Sequence, residues 1–242
     1  MAELLGRKED AKQYRTYSDK VAEVYDRYLV MENGEIKFSD SGRQAAYARV
    51  LAFDLCSKNK RERVLNMLLT LIEQEDYHLN TGFLSTAFLL NVLTEEGCEN
   101  TAYRILEQVT PPSWLYPVTK GATTIYESWD GEQRFFGSFN HYSFGAVCDY
   151  LFSYTTGIQI DKKAPAYKHF YLKPVIGGSF SYAKTEFESP YGSVCACWEK
   201  KGGEIVYQFT IPANTTASIE LSDGFKTEVG SGTYQIEKGV LK

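Results

Sequence analysis

Apolar positions recur every three or four residues through the first part of the chain and every two residues through the last. Tyr14, Tyr17, Val21, Val24, Tyr25 and Tyr28 fall on one face of a helix, which predicts that face as core. Asn33-Gly34 marks a turn, and a second helical run carries Ala45, Ala46, Val50, Leu51, Phe53 and Leu55. The runs Val64 to Ile72 and Phe83 to Leu93 are apolar nearly all round, the pattern of helices buried on several sides. Asn100 and Thr101 open a shorter helix through Leu106, and Thr110-Pro111-Pro112-Ser113 breaks the pattern, because proline stops a helix. Helical spacing returns at Phe144, Val147, Cys148 and Leu151. Residues 1 to about 157 therefore read as about six helices in antiparallel hairpins.

From about Lys162 the period is two. Ile205, Tyr207, Phe209 and Ile211 alternate with Val206, Gln208 and Thr210, as a half-buried strand requires. Val194, Ala196 and Trp198 do the same, followed by Ala217, Ile219 and Leu221, then Tyr234 and Ile236. Ser189-Pro190-Tyr191-Gly192, Lys201-Gly202-Gly203, Pro212-Ala213-Asn214 and Ser222-Asp223-Gly224 separate them with turn chemistry. Short strands at such spacing predict an antiparallel β-sandwich, with a helical domain over residues 1–160 and the sandwich over 161–242. At the start, Leu4-Leu5-Gly6 reads as the end of a helix with a glycine stop and Glu9-Asp10 as a new beginning. A chain that opens inside a helix is expected to be a truncated product.

Composition narrows the class. The chain has 242 residues with 26 Lys+Arg against 31 Asp+Glu, a formal net charge of −5, which argues against nucleic acid as the partner. Hydrophobic residues make up 43% and charged residues 24%, so wholesale disorder is excluded. No stretch reaches the ~20 apolar residues of a membrane span. Met1–Asp10 has no apolar core long enough for a secretory signal, so a cytoplasmic location is expected. The five cysteines (Cys56, Cys98, Cys148, Cys195 and Cys197) show no zinc spacing, so free thiols and no cofactor are expected.

The densest chemistry lies between Trp114 and Tyr142, which bracket two of the three tryptophans, Glu127, Asp130, Asn140 and His141. Aromatic faces suit sugar C–H surfaces, amides and imidazoles suit hydroxyls, and a carboxylate suits proton transfer. Each residue also has a plain structural reading. By residue type alone Glu127 reads first as a hydrogen-bonded loop carboxylate, and Asp130, before Gly131, reads as a turn aspartate rather than a catalyst. His141 can cap the following helix, Asn140 can be an N-cap, and Trp114, after two prolines, can be a packing anchor. His78 and His169 read as structural, and the Asn214-Thr215-Thr216 sequon reads as a strand turn.

At these residues the sequence resembles a known family. Ala122-Thr123-Thr124-Ile125-Tyr126-Glu127-Ser128-Trp129-Asp130-Gly131 and Ser138-Phe139-Asn140-His141-Tyr142 resemble the C-terminal part of bacterial α-L-rhamnosidases, glycoside hydrolase family 78. Thr81-Gly82-Phe83, Pro112-Ser113-Trp114-Leu115-Tyr116-Pro117-Val118, Lys168-His169-Phe170, Pro174-Val175 and Ser189-Pro190-Tyr191-Gly192 extend the resemblance along nearly the whole chain. It implies that residues 1–160 are the second half of an (α/α)6 barrel and that the sandwich follows it.

The resemblance also implies inverting hydrolysis of a terminal α-L-rhamnosyl bond, with a general acid and a general base about 6.5–9.5 Å apart. Glu127 matches the family's base in its Glu-x-Trp context, and His141 matches a histidine that contacts the sugar in the −1 subsite. Trp129 and Tyr126 match aromatic positions beside the base, Tyr126 standing where many relatives have tryptophan. Trp114 and Asn140 complete the substrate-binding candidates. The family's general acid belongs to an acidic, arginine-containing segment beginning Asp-Cys-Pro, and nothing in this sequence matches it. Arg61-Glu62-Arg63 lies in a helical charge run without the flanking residues. Two functions follow as expectations. One is the base side of a rhamnosidase acting on a rhamnosyl glycoside. The other is a catalytically incomplete module that binds sugar, an N-terminal barrel half, or a second copy of itself.

Overall fold

The computed structural model describes residues 1–37, 43–129 and 137–241, and the chain divides into two compact units, Met1–Val147 and Cys148–Lys242. The first unit is helical. α1 (Lys8–Leu29), α2 (Gln44–Ala52), α3 (Lys58–Gln74), α4 (Phe83–Glu95) and α5 (Glu99–Leu106) precede the short α6 (Leu115–Thr119) and α7 (Tyr142–Gly145). α4 lies at its centre, packed against α2, α5 and α7, and buries Leu89, Leu90, Val92 and Leu93. That burial is why its sequence is apolar on every side. α3 buries Lys60, Val64, Leu68 and Ile72, one residue per turn along a single stripe.

Lys60 is the polar member of that stripe. Its ammonium donates to the carbonyls of Asp26 at 3.0 Å and Val30 at 2.9 Å and lies 3.3 Å from the Asp26 carboxylate. Asp26 also accepts from the Ser57 amide at 3.0 Å and hydroxyl at 3.1 Å. Burial pushes the Asp26 carboxyl up, but the Ser57 donors and Lys60 outweigh it and hold the group below its ordinary value. Arg61 ties the same region together, donating to Glu96 at 2.7 Å and Asp54 at 2.8 Å, so the Arg61-Glu62-Arg63 run has a structural occupation.

The expected core face of α1 is not core. No residue of α1 is buried; Tyr17 is 70% exposed, and Tyr14, Val21, Val24 and Tyr28 are exposed with it. The Asp26 side chain and carbonyl and the Leu29 carbonyl tie the C-terminal end of α1 to the rest of its unit, while the tyrosine and valine stripe is exposed. Before it, Gly6 has φ +69°, and the Leu5 and Arg7 amides close back on Met1 and Ala2 at 3.1 and 2.9 Å, the glycine-terminated helical turn predicted there.

α8 (Val147–Tyr150) and a π-helical turn (Leu151–Thr155) carry the chain to nine strands among the described residues. β1 (Ile158–Ile160), β2 (His169–Leu172), β6 (Thr216–Glu220) and β7 (Lys226–Val229) form a sheet in the order β1-β2-β6-β7. β3 (Tyr182–Ser189), β4 (Gly192–Lys201), β5 (Glu204–Ile211), β8 (Gly232–Glu237) and β9 (Val240–Leu241) form the other, in the order β3-β4-β5-β8-β9. The pairings are antiparallel except β2 with β6, which is parallel.

Alternate residues of both sheets meet in one core: Phe170, Leu172, Ala217 and Ile219 from the first, and Val194, Ala196, Trp198, Tyr207, Phe209 and Ile236 from the second. Each large side chain so enclosed contributes roughly 1.5–3 kcal/mol. The Trp198 indole donates to the Thr155 carbonyl at 2.7 Å, anchoring the π-helical turn to β4. Asn214 occupies a left-handed turn between β5 and β6 at φ +61°, and the Thr215 hydroxyl donates to the Pro212 carbonyl at 2.8 Å. All five cysteines are free thiols; burial pushes Cys56, Cys98, Cys195 and Cys197 up.

Candidate functional site

Two short segments of the first unit run against each other and carry most of the candidate chemistry. The His141 amide donates to the Ile125 carbonyl at 2.8 Å and the Glu127 amide to the Ser138 carbonyl at 2.9 Å. The Thr124 hydroxyl also donates to the Phe139 carbonyl. This pairing fixes the register of 124–127 against 138–141 and brings Tyr126, Glu127, Asn140 and His141 into one neighbourhood.

Glu127 is half-buried, and its Oε2 accepts from the Ser138 amide at 2.7 Å. Both backbone and side chain of Glu127 thus engage Ser138, so the carboxylate has a set direction. An anion that accepts a backbone N–H makes a short, charge-assisted bond. Ser138 is braced in turn, its hydroxyl donating to the Asn140 carbonyl at 3.0 Å and accepting from the Asn140 amide at 3.1 Å. The Asn140 side chain is exposed.

His141 is the N-cap of α7. Its backbone is extended, and its Nδ1 accepts from the Ser143 amide at 3.3 Å. With Nδ1 an acceptor, the neutral ring carries its proton on Nε2 and offers a donor there. The capping reading and the ligand reading are therefore compatible, because they use different ring nitrogens.

The aromatic residues divide by burial. Trp114 is 4% exposed, and its indole donates to the Phe144 carbonyl at 2.9 Å. Trp129 stacks on Phe144 with centroids 3.8 Å apart and meets Trp114 edge-on at 5.7 Å. Trp114 is the enclosed anchor of this group and Trp129 its half-buried outer member. Tyr126 packs edge-on against Phe139 at 4.9 Å. Asp130 and Gly131 lie outside the described residues.

Phe83 and Phe144 read from the sequence as helix positions and not as site residues, yet both belong to this cluster. Phe144 underlies Trp129, and Phe83 lies against both Phe144 and His141. The Thr81-Gly82-Phe83 motif was the available signal for Phe83. Among the described residues no group of three or more His, Cys, Asp or Glu is arranged to hold a metal ion, and no helix is long and apolar enough to cross a membrane. His78 bonds Glu75 and Thr110, and His169 bonds Thr216 and Ser218, so both are absorbed in local structure.

Comparison with known proteins bears on both units. Residues 1–155 match the model of the bacterial alpha-L-rhamnosidase 6 hairpin glycosidase domain, and residues 157–235 that of the bacterial alpha-L-rhamnosidase C-terminal domain. An alpha-L-rhamnosidase of Formosa agariphila is 35% identical over 230 residues, covering 91% of this chain and 24% of that protein. One from Streptomyces avermitilis is 35% identical over 226 residues, covering 90% of this chain and 21% of that protein. The crystal structure of the Streptomyces avermitilis alpha-L-rhamnosidase complexed with L-rhamnose superposes with a TM-score of 0.88 at 33% identity, over 97% of this chain and 25% of that one. The Aspergillus terreus enzyme superposes with a TM-score of 0.89 at 29% identity, over 100% and 29%. The chain spans about a quarter of the length of these relatives.

Proposed function

The chain belongs to the bacterial α-L-rhamnosidase family, and from that premise we propose that it carries the general-base side of an inverting glycoside hydrolase site that releases terminal α-L-rhamnose. Glu127 is the base. In an inverting reaction one carboxylate draws a proton from water as that water attacks the anomeric carbon, while a general acid protonates the leaving oxygen from the opposite face. A base must be aimed as well as ionised, and the Ser138 amide at 2.7 Å from Oε2 does the aiming. This fixed carboxylate, on a segment whose backbone pairs with the one that carries His141, is the observation that supports the reading most. His141 donates from Nε2 to a sugar hydroxyl. Trp129 and Tyr126 supply apolar surface to the sugar ring, Asn140 a polar contact at the rim, and Trp114 holds the wall from behind. No cofactor enters the proposed reaction.

The general acid has no counterpart in this sequence, so the proposal assigns it to a separate part of the barrel. Purified chain alone is expected to leave a chromogenic α-L-rhamnoside intact. Turnover by the chain alone that Glu127→Gln abolishes would overturn the assignment of the acid elsewhere.

One observation favours a second reading, a partner-binding module. The α1 stripe of Tyr14, Tyr17, Val21, Val24 and Tyr28 is uncovered, and two shallow hollows lie along the same helix. Contiguous exposed apolar surface of this kind marks an interface. Under this reading the occupant is the remaining helical part of the barrel or a second copy of the chain. Sedimentation that shows a well-behaved monomer, unchanged by a family N-terminal fragment, counts against it.

A further inference from the structure

The geometry points to Phe83 as the positioning residue for His141, an inference that deepens the proposed reading of the site and rests on it for the ligand. Phe83 is the first residue of α4, and its ring lies nearly parallel to the imidazole, with centroids 4.8 Å apart and planes 22° apart. The Tyr142 ring is also nearly parallel to it, at 5.3 Å and 14°. Phe83 in turn contacts Phe144 at 5.0 Å, and Phe144 carries Trp129. It is therefore the one ring that joins the histidine to the tryptophan wall among the described residues.

The support under Phe83 is rigid. Gly82 caps α4 at φ +67°, a conformation a side chain would strain. The Thr86 hydroxyl donates to the Gly82 carbonyl at 2.7 Å, and the buried Thr81 and Thr86 hydroxyls lie 2.6 Å apart. The buried body of α4 anchors this first turn. Phe83 itself stays 42% exposed, more than a ring serving only the core would be. The Ser143 amide sets which nitrogen of His141 accepts, and Phe83 sets the plane in which the other nitrogen donates.

The chain has three histidines, so the His141 ring resonances are assignable by NMR on the intact protein through their loss in His141→Gln. Flanking rings shift them upfield in the wild type. Phe83→Leu moves them toward free-imidazole positions, Phe83→Tyr restores them, and the His78 and His169 signals stay in place as the folding control. Wild-type His141 signals already at free-imidazole positions, or signals that Phe83→Leu leaves unmoved, overturn the proposal without need of any variant's activity.

Titration with L-rhamnose supplies the second readout. Phe83→Leu weakens binding about 3- to 10-fold, the scale of one aromatic pair, and has no further effect in the His141→Gln background. An equal loss in both backgrounds shows that Phe83 acts without His141 and sinks the positioning role. If the wild type takes no rhamnose while the ring shifts behave as stated, the sugar reading fails and the positioning stands.

Discussion

Replacing Trp114 by phenylalanine probes the packing behind the candidate site. The indole is 4% exposed, donates to the Phe144 carbonyl at 2.9 Å, and meets Trp129 edge-on at 5.7 Å. Phenylalanine keeps a flat ring but removes the donor, and stripping a buried carbonyl of its partner costs about 1–3 kcal/mol. The smaller ring leaves unfilled space, and because truncating a buried aromatic to alanine costs about 3–5 kcal/mol, a partial truncation adds roughly 1 kcal/mol. The expected loss is therefore about 2–4 kcal/mol. Urea unfolding followed by circular dichroism reads it as a fall of about 1–2 M in midpoint at an unchanged slope near 2 kcal/mol/M. A change within about 0.5 kcal/mol, the range of an inconsequential surface substitution, would refute the claim that Trp114 is an enclosed, hydrogen-bonded anchor.

Further outcomes follow from other positions. Gly157→Ala places a Cβ 2.2 Å from the Pro174 nitrogen at a backbone φ of +84°, so thermal unfolding of the sandwich unit should fall by more than ~3 kcal/mol; a near-wild-type melt would contradict the close approach. Asp26 has a folded-state carboxyl below its ordinary 3.8, so its contribution is present above the unfolded value and is lost as pH falls through the folded one. Asp26→Asn is accordingly less stable than wild type at neutral pH, and the gap closes in acid; a gap that widens below about pH 3.8 would reverse the sign of the argument. Lys60→Met leaves the Asp26 and Val30 carbonyls without the ammonium they share and should destabilise by about 1–3 kcal/mol in the same unfolding assay, with no loss if the ammonium is idle.

The sandwich was legible because a strand states its inward face at every second residue: Val194, Ala196 and Trp198 are all buried, as their alternation requires. The helices α2 to α5 were legible for the same reason at a longer period. α6 was not, since five residues containing Pro117 are too few to show periodicity. The stripe on α1 shows what periodicity cannot say. It marks an apolar face, and the spacing of residues within one helix does not say whether another part of the chain packs on that face.

The geometry of the candidate site was partly readable. Glu127 and His141 stood out by type and by the motif around them. Their bracing did not, because the Ser138 and Ser143 amides that hold them are backbone groups with no side-chain signature. The sequence left Trp114 open between a packing anchor and a substrate contact, and its burial together with its bond to the Phe144 carbonyl makes it the anchor. Phe83 lies more than forty residues from the histidine it flanks, so no local pattern could associate the two.

The central claim is that Glu127 is the base of an inverting rhamnosidase site, and a chimera tests it most directly. This chain replaces the matching quarter of the Streptomyces avermitilis relative, and NMR follows hydrolysis of an α-L-rhamnoside while the product anomer is read before mutarotation. The account predicts the β-anomer first, and a fall in rate of about 10²–10⁴-fold on Glu127→Gln, the usual contribution of a positioned base. An active chimera whose Glu127→Gln form keeps its rate, or one that releases the α-anomer first, would contradict it.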